Sequence, residues 1–568
     1  MAQTIAHRFR TQADESLIQA LQMRGLQPWK SRLLASRGLR GPEQADTGIG
    51  GLLHYRDFKG IDEAASRLLK AIAENQRILI VGDYDADGAT ATAVMVRGLR
   101  MLGAEHVDFL VPDRLKHGYG LSPALAELAH ERRPHVLVTV DNGIAALDGI
   151  ERARNLGMDV VVTDHHLAGA ALPPTPWIVN PNQPGCAFAS KAAAGVGVAF
   201  YVLLAMRSKL QASAAFEGRE RPALERLLDL VALGTVADVV PLDANNRRLV
   251  AAGLARMRKG AAPPLIQALF ALTRRQSAWA TSADLGFAIS PRINAAGRLE
   301  HMSLGIEGLL CDDPGRAQEI AAELHRINEE RRATQAEMEA QAVELAEQPG
   351  WAQKTGLVVH QAAWHEGVIG LVASRLKERY WRPTIALCAA QHEGLLKGSG
   401  RSIPGLHLRD AIDEVTRMVP GSVVKFGGHA MAAGLTLRAE SLCAFQAAFE
   451  AVCAKHLSKE ALERVLVLDE PLAEADITAE TAQAIEAMPW GQAFEEPLFG
   501  STLKIVRQDV LKEKHLRLQI DVGGRLVKGI CFGRTEPIKD TDLLAWRLLP
   551  DRWNETVAPQ IRIEQVLG

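Results

Sequence analysis

The chain has 568 residues, too many for one hydrophobic core, so three or four globular domains are expected. A formal net charge of −2 excludes a protein that is basic over its whole surface, so any contact with nucleic acid must be local. Six cysteines without CxxC spacing disfavour a zinc site or a disulfide framework, and the absence of a long apolar run disfavours secretion and membrane insertion, so we expect a cytoplasmic protein.

The first chemically informative segment follows an N-terminal cap, residues 1–60. ILIVGDYDADG (78–88) is an apolar run closed by Gly88, which is typical of a strand buried on both faces, with its chemistry at the carboxyl end. Its three acids repel one another unless a divalent cation such as Mg²⁺ or Mn²⁺ lies among them. An Asp/Gly-rich turn or a helix N-cap explains the segment equally well, and both interpretations stay open. The acids are Asp83, Asp85 and Asp87.

Two further apolar runs, VLVTVDNG (136–143) and DVVVTDHH (159–166), end in acids or histidines. Helical segments separate the runs, which predicts right-handed crossovers and a parallel sheet whose strand ends share one edge. A further acid, in LGTVADVVPL, could close the cluster from a loop. These residues are Asp141, Asp164, His165, His166 and Asp238.

Several carboxylates with a neutral imidazole form a suitable ligand set for two metal ions, which favours phosphoester hydrolysis. Asp141 follows the strand between the other two acidic strand ends, and we expect it to bridge both ions. His165 is expected to be a ligand, and His166 to contact the scissile phosphate or orient the site.

The periodicity predicts an α/β fold with four parts after the cap. A parallel-sheet domain is expected over 61–312, followed over 313–350 by a long helix that acts as a rigid connector. A surface helix of one domain is the alternative for that segment. A smaller α/β domain is expected over 351–458 and a C-terminal β-barrel over 459–568.

Two segments of the first domain could contact a phosphate-bearing substrate. PRINAAGR carries Arg292, Asn294 and Arg298, and VPDRLKHGYGLS carries Arg114 and Tyr119. Such residues neutralise phosphates and stack on sugars or bases. Arg292 could equally brace the metal-binding acids.

Glycine-rich segments and a basic cluster follow in the second half. LLKGSGRSIPG and KFGGHAMAAGL place glycines beside Arg401 and His429, as in anion sites, although tight turns explain them too. The predicted barrel has eight basic residues against three acids between positions 504 and 534, which favours strand binding, with a solvated sheet face as the alternative. The basic residues are Lys504, Arg507, Lys512, Lys514, Arg517, Arg525, Lys528 and Arg534.

DYDADG, DNG, DHH and ADVVPL, in this order, resemble the motifs of the DHH phosphoesterases. With PRINAAGR, HEGVIGLVASRL, SGRS and FGGHAMAAG, the chain is similar to the bacterial single-strand-specific 5′→3′ DNA exonucleases of that superfamily, from about residue 50 to the end. The resemblance implies a DHH domain, a linking helix, a DHHA1 domain bearing GGH and a C-terminal OB-fold. It also implies release of 5′-mononucleotides with Mg²⁺ or Mn²⁺, in DNA repair and recombination.

The resemblance also implies roles for individual residues. The implied metal ligands are Asp85, Asp87, Asp141, His165 and Asp238, with Asp83 and Asp164 adjoining. The implied substrate contacts are Arg292, Asn294, Arg298, Arg375, Ser399, Arg401, Gly427, Gly428 and His429. Single-stranded DNA is the implied substrate, and a single-stranded-DNA-binding protein and a helicase are candidate partners.

One position departs from the pattern of the superfamily. Many DHH phosphoesterases carry a histidine four residues before the first acid of their D-x-D pair, and Val81 stands there if Asp85 and Asp87 form that pair. We therefore expect that Asp83 substitutes for the histidine or that the second metal binds more weakly.

Two other functions are consistent with the fold. A DHH phosphatase for short oligonucleotides or small phosphorylated molecules needs only the first two domains, so the basic C-terminal region favours a polymer. A catalytically inactive DNA-binding scaffold is expected to have lost acids at the strand ends, and all are present.

Overall fold

The computed structural model describes residues 6–11, 14–113, 120–213, 215–216, 220–347, 350–351, 353–553 and 556–567. The chain divides into two compact units. The larger unit comprises Phe9–Arg326 and Leu468–Gly568, and the smaller unit comprises Ile327–Val467 with the N-terminal residues up to Arg8.

The strands are β1 (Ala6–Phe9), β2 (Ile78–Val81), β3 (Val107–Leu110), β4 (Val136–Val140), β5 (Asp159–Thr163), β6 (Trp177–Val179), β7 (Leu357–His360), β8 (Thr384–Ala389), β9 (Leu395–Arg401), β10 (Val423–Gly428), β11 (Ala432–Arg438), β12 (Val465–Leu468), β13 (Phe499–Ser501), β14 (Lys504–Leu511), β15 (His515–Val522), β16 (Arg525–Cys531), β17 (Leu544–Trp553) and β18 (Thr556–Val566). The helices are α1 (Glu15–Met23), α2 (Pro28–Ala35), α3 (Ile61–Ala73), α4 (Ala86–Met101), α5 (Pro123–Glu131), α6 (Leu147–Asn155), α7 (Gly195–Ala212), α8 (Leu228–Ala237), α9 (Ala244–Arg258), α10 (Pro264–Leu272), α11 (Ser290–Leu299), α12 (Ser303–Leu310), α13 (Pro314–Ala346), α14 (Glu366–Tyr380), α15 (Leu408–Met418), α16 (Leu442–His456) and α17 (Ala479–Ala487).

A five-stranded parallel sheet of order β3-β2-β4-β5-β6 forms the centre of the larger unit. Alternate side chains of each strand point to opposite faces. Ile78 and Ile80 pack in the core that contains α4 and α7, whereas Leu79 and Val81 pack in the core that contains α5 and α6. Both faces are therefore covered, which requires the continuous apolar runs seen in the sequence. The predicted parallel sheet is confirmed.

The C-terminal part of the larger unit is a six-stranded sheet of order β13-β17-β18-β16-β15-β14. Its pairs are antiparallel except β16 with β18. Leu516, Leu518 and Ile520, at alternate positions of β15, are buried with Trp546 in its core. This sheet is the predicted C-terminal β-domain.

The C-terminal domain is bonded to the rest of the larger unit. The Leu242 N–H donates to the Gln492 carbonyl (2.8 Å), which connects it to the first domain. The Arg37 guanidinium donates to both carboxylate oxygens of Asp469 (3.0 and 2.9 Å). The N-terminal segment thus packs on the C-terminal domain, and the Leu53 N–H bonds Asn245 Oδ1 of the first domain (3.0 Å).

A five-stranded sheet of order β10-β11-β9-β8-β7 forms the smaller unit. β7 and β8 are parallel and the other pairs are antiparallel. Leu387, Leu437 and Phe449 lie in a core with apolar side chains of α15 and α16. This is the predicted smaller α/β domain.

The predicted connector is one helix, α13, and the division between the two units falls inside it. No helix among the described residues combines the length and the apolar character that crossing a bilayer requires. All six cysteines lie within the described ranges and are free thiols.

Candidate active site

The loop after β2 carries the first acids of the site. Asp85 is the N-cap of α4, because its side chain accepts the Gly88 N–H (2.9 Å). A Cβ at Gly88 would lie 2.7 Å from the Cβ of Asp83, so only glycine lets the first turn of α4 approach this loop. The N-cap interpretation is therefore right for Asp85, and it does not compete with metal binding, since an Asp side chain has further lone pairs.

Asp87 is buried and is held by the start of α7. Its carboxylate accepts the backbone N–H groups of Gly195 (2.7 Å) and Val196 (2.9 Å). A Cβ at Gly195 would lie 2.5 Å from Asp141 Oδ1, and a Cβ at Gly234 would lie 2.8 Å from Asp87 Oδ1. Neither glycine was identified from the sequence, where the only signal is their position in AAAGVG and VALGTVAD.

Asp141 follows β4 in a left-handed backbone conformation, with φ of 62°. This conformation is uncommon for a residue other than glycine, and such residues cluster at functional sites. Its N–H donates to the Thr163 carbonyl (3.0 Å). The neighbouring Asn142 amide donates to the carbonyls of Val81 (3.1 Å) and Val140 (2.9 Å), which ties the ends of β2 and β4 together.

Asp164 accepts four hydrogen bonds from protein groups. Three come from the backbone N–H groups of Ile144 (2.9 Å), His165 (2.7 Å) and His166 (3.1 Å). The fourth comes from His166 Nδ1 (2.8 Å). Burial alone would raise the pKa of Asp164, but the hydrogen bond and the charge of His166 lower it below its ordinary value. Asp164 is thus placed to orient both histidines.

His166 is half-buried beside this carboxylate. Burial lowers the pKa of an imidazole, but here the hydrogen bond to Asp164 and the nearby acids raise it to about 9. The His166 ring therefore carries a positive charge at neutral pH, which suits contact with a phosphate oxygen.

His165 joins two acids from different elements. Its Nε2 lies 3.1 Å from Asp141 Oδ1 and 3.4 Å from Asp238 Oδ2, at the end of α8. The Asn182 side chain holds the backbone here by donating to the His165 carbonyl (2.6 Å), and Asn180 donates to the His166 carbonyl (3.0 Å). Three sets of potential ligand atoms result, each within 4.8 Å: Asp83, Asp85 and Asp141; Asp87, His165 and Asp238; Asp141, His165 and His166.

The acids destabilise one another's charged forms. Burial, followed by the charge of Asp85, raises the pKa of Asp87 to about 7. Burial and the neighbouring carboxylates raise the pKa of Asp141 and of Asp238 well above the ordinary value. A divalent cation removes this repulsion, and oxygen-rich sets with one imidazole suit Mn²⁺ and Mg²⁺. The residues therefore fit a metal centre.

Val81 is fully buried inside β2, whereas Asp83 lies with Asp85 and Asp141. This placement is the one expected if Asp83 takes the place of the superfamily's histidine.

Helix α11, from PRINAAGR, packs against the loop after β2. Asn294 Oδ1 accepts the Ala86 N–H (2.8 Å), and a Cβ at Gly297 would lie 1.9 Å from the Tyr84 carbonyl oxygen. Arg292 is buried and donates to His325 Nδ1 (3.2 Å) and to the Ala288 carbonyl (2.5 Å). Asn294 is thus joined directly to the metal-binding loop. Arg298 is half-buried on the same helix, and Arg114 and Tyr119 lie outside the described residues.

In the smaller unit, the glycine-rich segments lie on adjacent strands. Arg401 Nη1 donates to Ser399 Oγ (3.2 Å) on β9. Ser399 pairs with Gly434 of β11, which pairs with Gly427 of β10. Gly428 ends β10, and the His429 N–H donates to the Ala432 carbonyl in the turn (2.8 Å). A Cβ at Gly370 of α14 would lie 2.9 Å from Ser399 Oγ, while Arg375 is exposed further along that helix.

Ion pairs reduce the positive charge of the predicted basic region. Five of its eight basic residues lie within 3.6 Å of a carboxylate. The pairs are Lys504–Asp521, Arg507–Asp509, Arg517–Asp509, Lys528–Asp551 and Arg534–Glu536. The exposed Phe532 lies edge-on to His515, with ring centroids 5.0 Å apart, and offers an aromatic surface on this domain.

Three family profiles match the chain in order. They are the DHH family N-terminal domain over residues 77–235, the DHHA1 domain over 353–455 and the RecJ OB domain over 468–565. The C-terminal β-domain is thus an OB domain.

Characterised relatives cover most of the chain. It is 46% identical to the single-stranded-DNA-specific exonuclease RecJ of Escherichia coli over 515 residues, 89% of each chain. The crystal structure of Thermus thermophilus RecJ in complex with Mn²⁺ has a TM-score of 0.83 at 28% identity, over 100% of this chain and 80% of that one. The same protein in complex with Mg²⁺ has a TM-score of 0.77 at 27% identity, over 100% and 79%. The chain therefore belongs to the RecJ family of single-stranded-DNA-specific exonucleases.

Proposed function

We propose that this protein hydrolyses single-stranded DNA from its 5′ end, with Mn²⁺ or Mg²⁺, and releases 5′-mononucleotides in DNA repair and recombination. The observation that carries the proposal is the cluster of buried acids and His165 at the ends of three parallel strands. The similarity to RecJ exonucleases, and the metal-bound T. thermophilus structures, support it.

In this mechanism, Asp83, Asp85 and Asp141 would hold one ion, and Asp87, His165 and Asp238 would hold the other. Asp141 would link the two sets, since its Oδ1 also lies 3.1 Å from His165 Nε2. Ions held there would polarise the phosphodiester and lower the pKa of the attacking water molecule. The protonated His166 ring donates to a phosphate oxygen, and Asp164 keeps that ring charged and oriented. Asn294 holds the loop of Asp83 and Asp85 through the Ala86 N–H.

Substrate contacts away from the metal centre are proposed for both units. In the larger unit these are Arg292, Arg298, Arg114 and Tyr119. In the smaller unit, Ser399, Arg401 and His429 lie beside glycines, whose backbone N–H groups a phosphate can approach closely. Arg375 adds a further positive charge. A cytoplasmic location, with a single-stranded-DNA-binding protein and a helicase as partners, accords with a DNA substrate and with six free thiols.

End-labelled DNA tests the proposal directly. We expect a single strand labelled at its 5′ end to release a labelled mononucleotide at once in Mn²⁺ or Mg²⁺, whereas a 3′ label stays on a shortening polymer. A duplex of the same sequence serves as the control and is expected to resist. Early release of the 3′ label, or equal cleavage of the duplex, would contradict the proposal.

Calorimetric titration of Mn²⁺ tests which residues hold which of the two ions. We expect two ions per chain, the weaker at the all-carboxylate set of Asp83, Asp85 and Asp141, where no imidazole contributes. Asp83→Asn is expected to abolish the weaker binding and preserve the tighter. Asp148→Asn, at an exposed acid, is the control and leaves both unchanged. Two equally tight sites in the wild type would refute the assignment.

Phe532 tests whether the C-terminal domain binds the strand by stacking. Phe532→Ala is expected to weaken binding of a single-stranded oligonucleotide by about 1–3 kcal/mol, measured by fluorescence anisotropy in EDTA at fixed salt. Leu526→Ala is the matched control, because Leu526 is equally exposed on β16 but cannot stack. Equal losses in both variants would indicate general apolar contact instead.

A further inference from the structure

A cavity of about 590 Å³ lies in the larger unit. Four segments of the chain line it: the stretch between α2 and α3, the stretch before α7, the residues around the start of α9 and the stretch before β13. None of the acids or histidines of the metal centre is in its lining. The cavity is therefore distinct from the site described above.

Two buried arginines line this cavity, and the charge of Asp243 acts on Arg247 without an ion pair between them. Arg247 and Arg248 are only 6% and 7% exposed. Their hydrogen bonds go to neutral carbonyls, from Arg247 to Leu242 and Gln44 and from Arg248 to Glu43. Within the described ranges, no carboxylate forms an ion pair with either guanidinium. Two buried positive charges that lack a hydrogen-bonded carboxylate are costly, so the arrangement favours an anion in the cavity.

The lining also contains buried donors that have no acceptor among the described residues. These are Arg248 Nε, Asn245 Nδ2 and Ser190 Oγ. The Asn245 amide is oriented by its own oxygen, which accepts the Leu53 N–H (3.0 Å) and the Tyr201 hydroxyl (2.9 Å). Its N–H₂ group therefore remains a donor. A ligand that offers only acceptors, such as a phosphate, complements this set.

The remaining charged groups leave the lining positive. Glu43 and Asp243 contribute carboxylates, and Asp243 accepts the Asn246 N–H (2.9 Å) as the N-cap of α9. Arg37 is paired with Asp469, whereas Arg40 is exposed at the edge. The Arg247 guanidinium lies 4.2 Å over the centre of the Phe494 ring.

We propose that this cavity binds a phosphorylated small molecule of the size of a nucleoside monophosphate, with its phosphate against Arg247 and Arg248. The volume falls within the range of about 300–1,000 Å³ that is typical of small-ligand sites. Because the lining joins the N-terminal segment, the first domain and the C-terminal domain, the bound ligand stabilises their packing.

Ala244 allows a test that removes none of these contacts. It is the first residue of α9, half-buried in the lining, where an added acid is compatible with the helix dipole. We expect dAMP, titrated by calorimetry into the full chain in EDTA, to bind the wild type and Ala244→Gln alike. Ala244→Glu is expected to bind at least tenfold more weakly. Equal binding by the Glu variant, or no binding by the wild type at millimolar dAMP, overturns the proposal.

Two further ligands separate the possible sources of the phosphate. Inorganic phosphate is expected to compete with dAMP and to raise the melting temperature of the wild type but not of Ala244→Glu. A single-stranded oligonucleotide is expected to bind the wild type and Ala244→Glu equally. If Ala244→Glu weakened only the oligonucleotide, the cavity would belong to the DNA path and the proposal would be wrong.

Discussion

Asp141→Asn is expected to reduce exonuclease activity by about 10³-fold or more, because the carboxylate that we propose as a ligand of both ions is lost. Asparagine tolerates the left-handed backbone of this position, whereas alanine does not, so the fold is preserved. We expect the metal-free variant to be more stable than the wild type at pH 7.5. The reason is that burial and the neighbouring acids raise the pKa of Asp141.

The raised pKa of Asp141 also determines how the higher stability of the Asn variant depends on pH. A carboxyl group whose folded pKa is raised costs stability above its ordinary pKa of 3.8, and the cost vanishes as the pH falls below it. The difference in free energy of unfolding should therefore shrink toward pH 4. Added Mn²⁺ is expected to reverse the order, since it stabilises the wild type more. Urea unfolding in EDTA and in Mn²⁺ measures the free energy of unfolding of both proteins. A variant that stays more stable than the wild type in Mn²⁺ would contradict the ligand role of Asp141.

Asp164→Ala is expected to have the opposite effect on stability. The change leaves the N–H groups of Ile144, His165 and His166 without their acceptor, and we expect a loss of about 3–5 kcal/mol in the free energy of unfolding. Activity should fall together with the orientation of the two histidines. Urea unfolding and the end-label assay measure the two effects.

Asp164→Asn separates the effect of the Asp164 charge on His166 from the effect of its hydrogen bonds on stability. Its amide oxygen can replace Oδ1, which accepts the N–H groups of His165 and His166, whereas its N–H₂ group faces the Ile144 N–H. We therefore expect a smaller loss of stability than in Asp164→Ala. The negative charge is lost, and the pKa of His166, about 9 in the wild type, is expected to fall. NMR titration of the His166 ring measures this change. An unaltered pKa would show that Asp164 has only a structural role.

These two aspartates show what a sequence pattern can reveal. A strand buried on both faces must be apolar throughout, so the runs before Asp83, Asp141 and Asp164 predict the parallel sheet and the edge where the acids meet. The pattern does not distinguish an acid that faces other acids from one that is saturated by N–H groups. That difference depends on backbone groups such as Ile144 N–H, which carry no signature in the sequence.

Contacts between segments that are far apart in the sequence could not be predicted from it either. Gly195 and Gly234 lie more than 100 residues from Asp87, yet both must lack a side chain for α7 and α8 to reach it. In the C-terminal domain, the excess of basic residues overstated the free positive charge. Lys504 lies opposite Asp521 where β14 pairs with β15. Which charges face each other depends on the register of the strands, and a count of charged residues gives no information about the register.

The division of the chain has a consequence for synthesis on the ribosome. The larger unit is assembled from two stretches, and Ile327–Val467, which form most of the smaller unit, are translated between them. At about 5–20 residues per second, the smaller unit emerges and folds while the N-terminal segment still awaits the residues that cover it. Arg37 finds Asp469 only after more than 400 residues have been added. The larger unit therefore completes its fold last, after the residues of the smaller unit have been made.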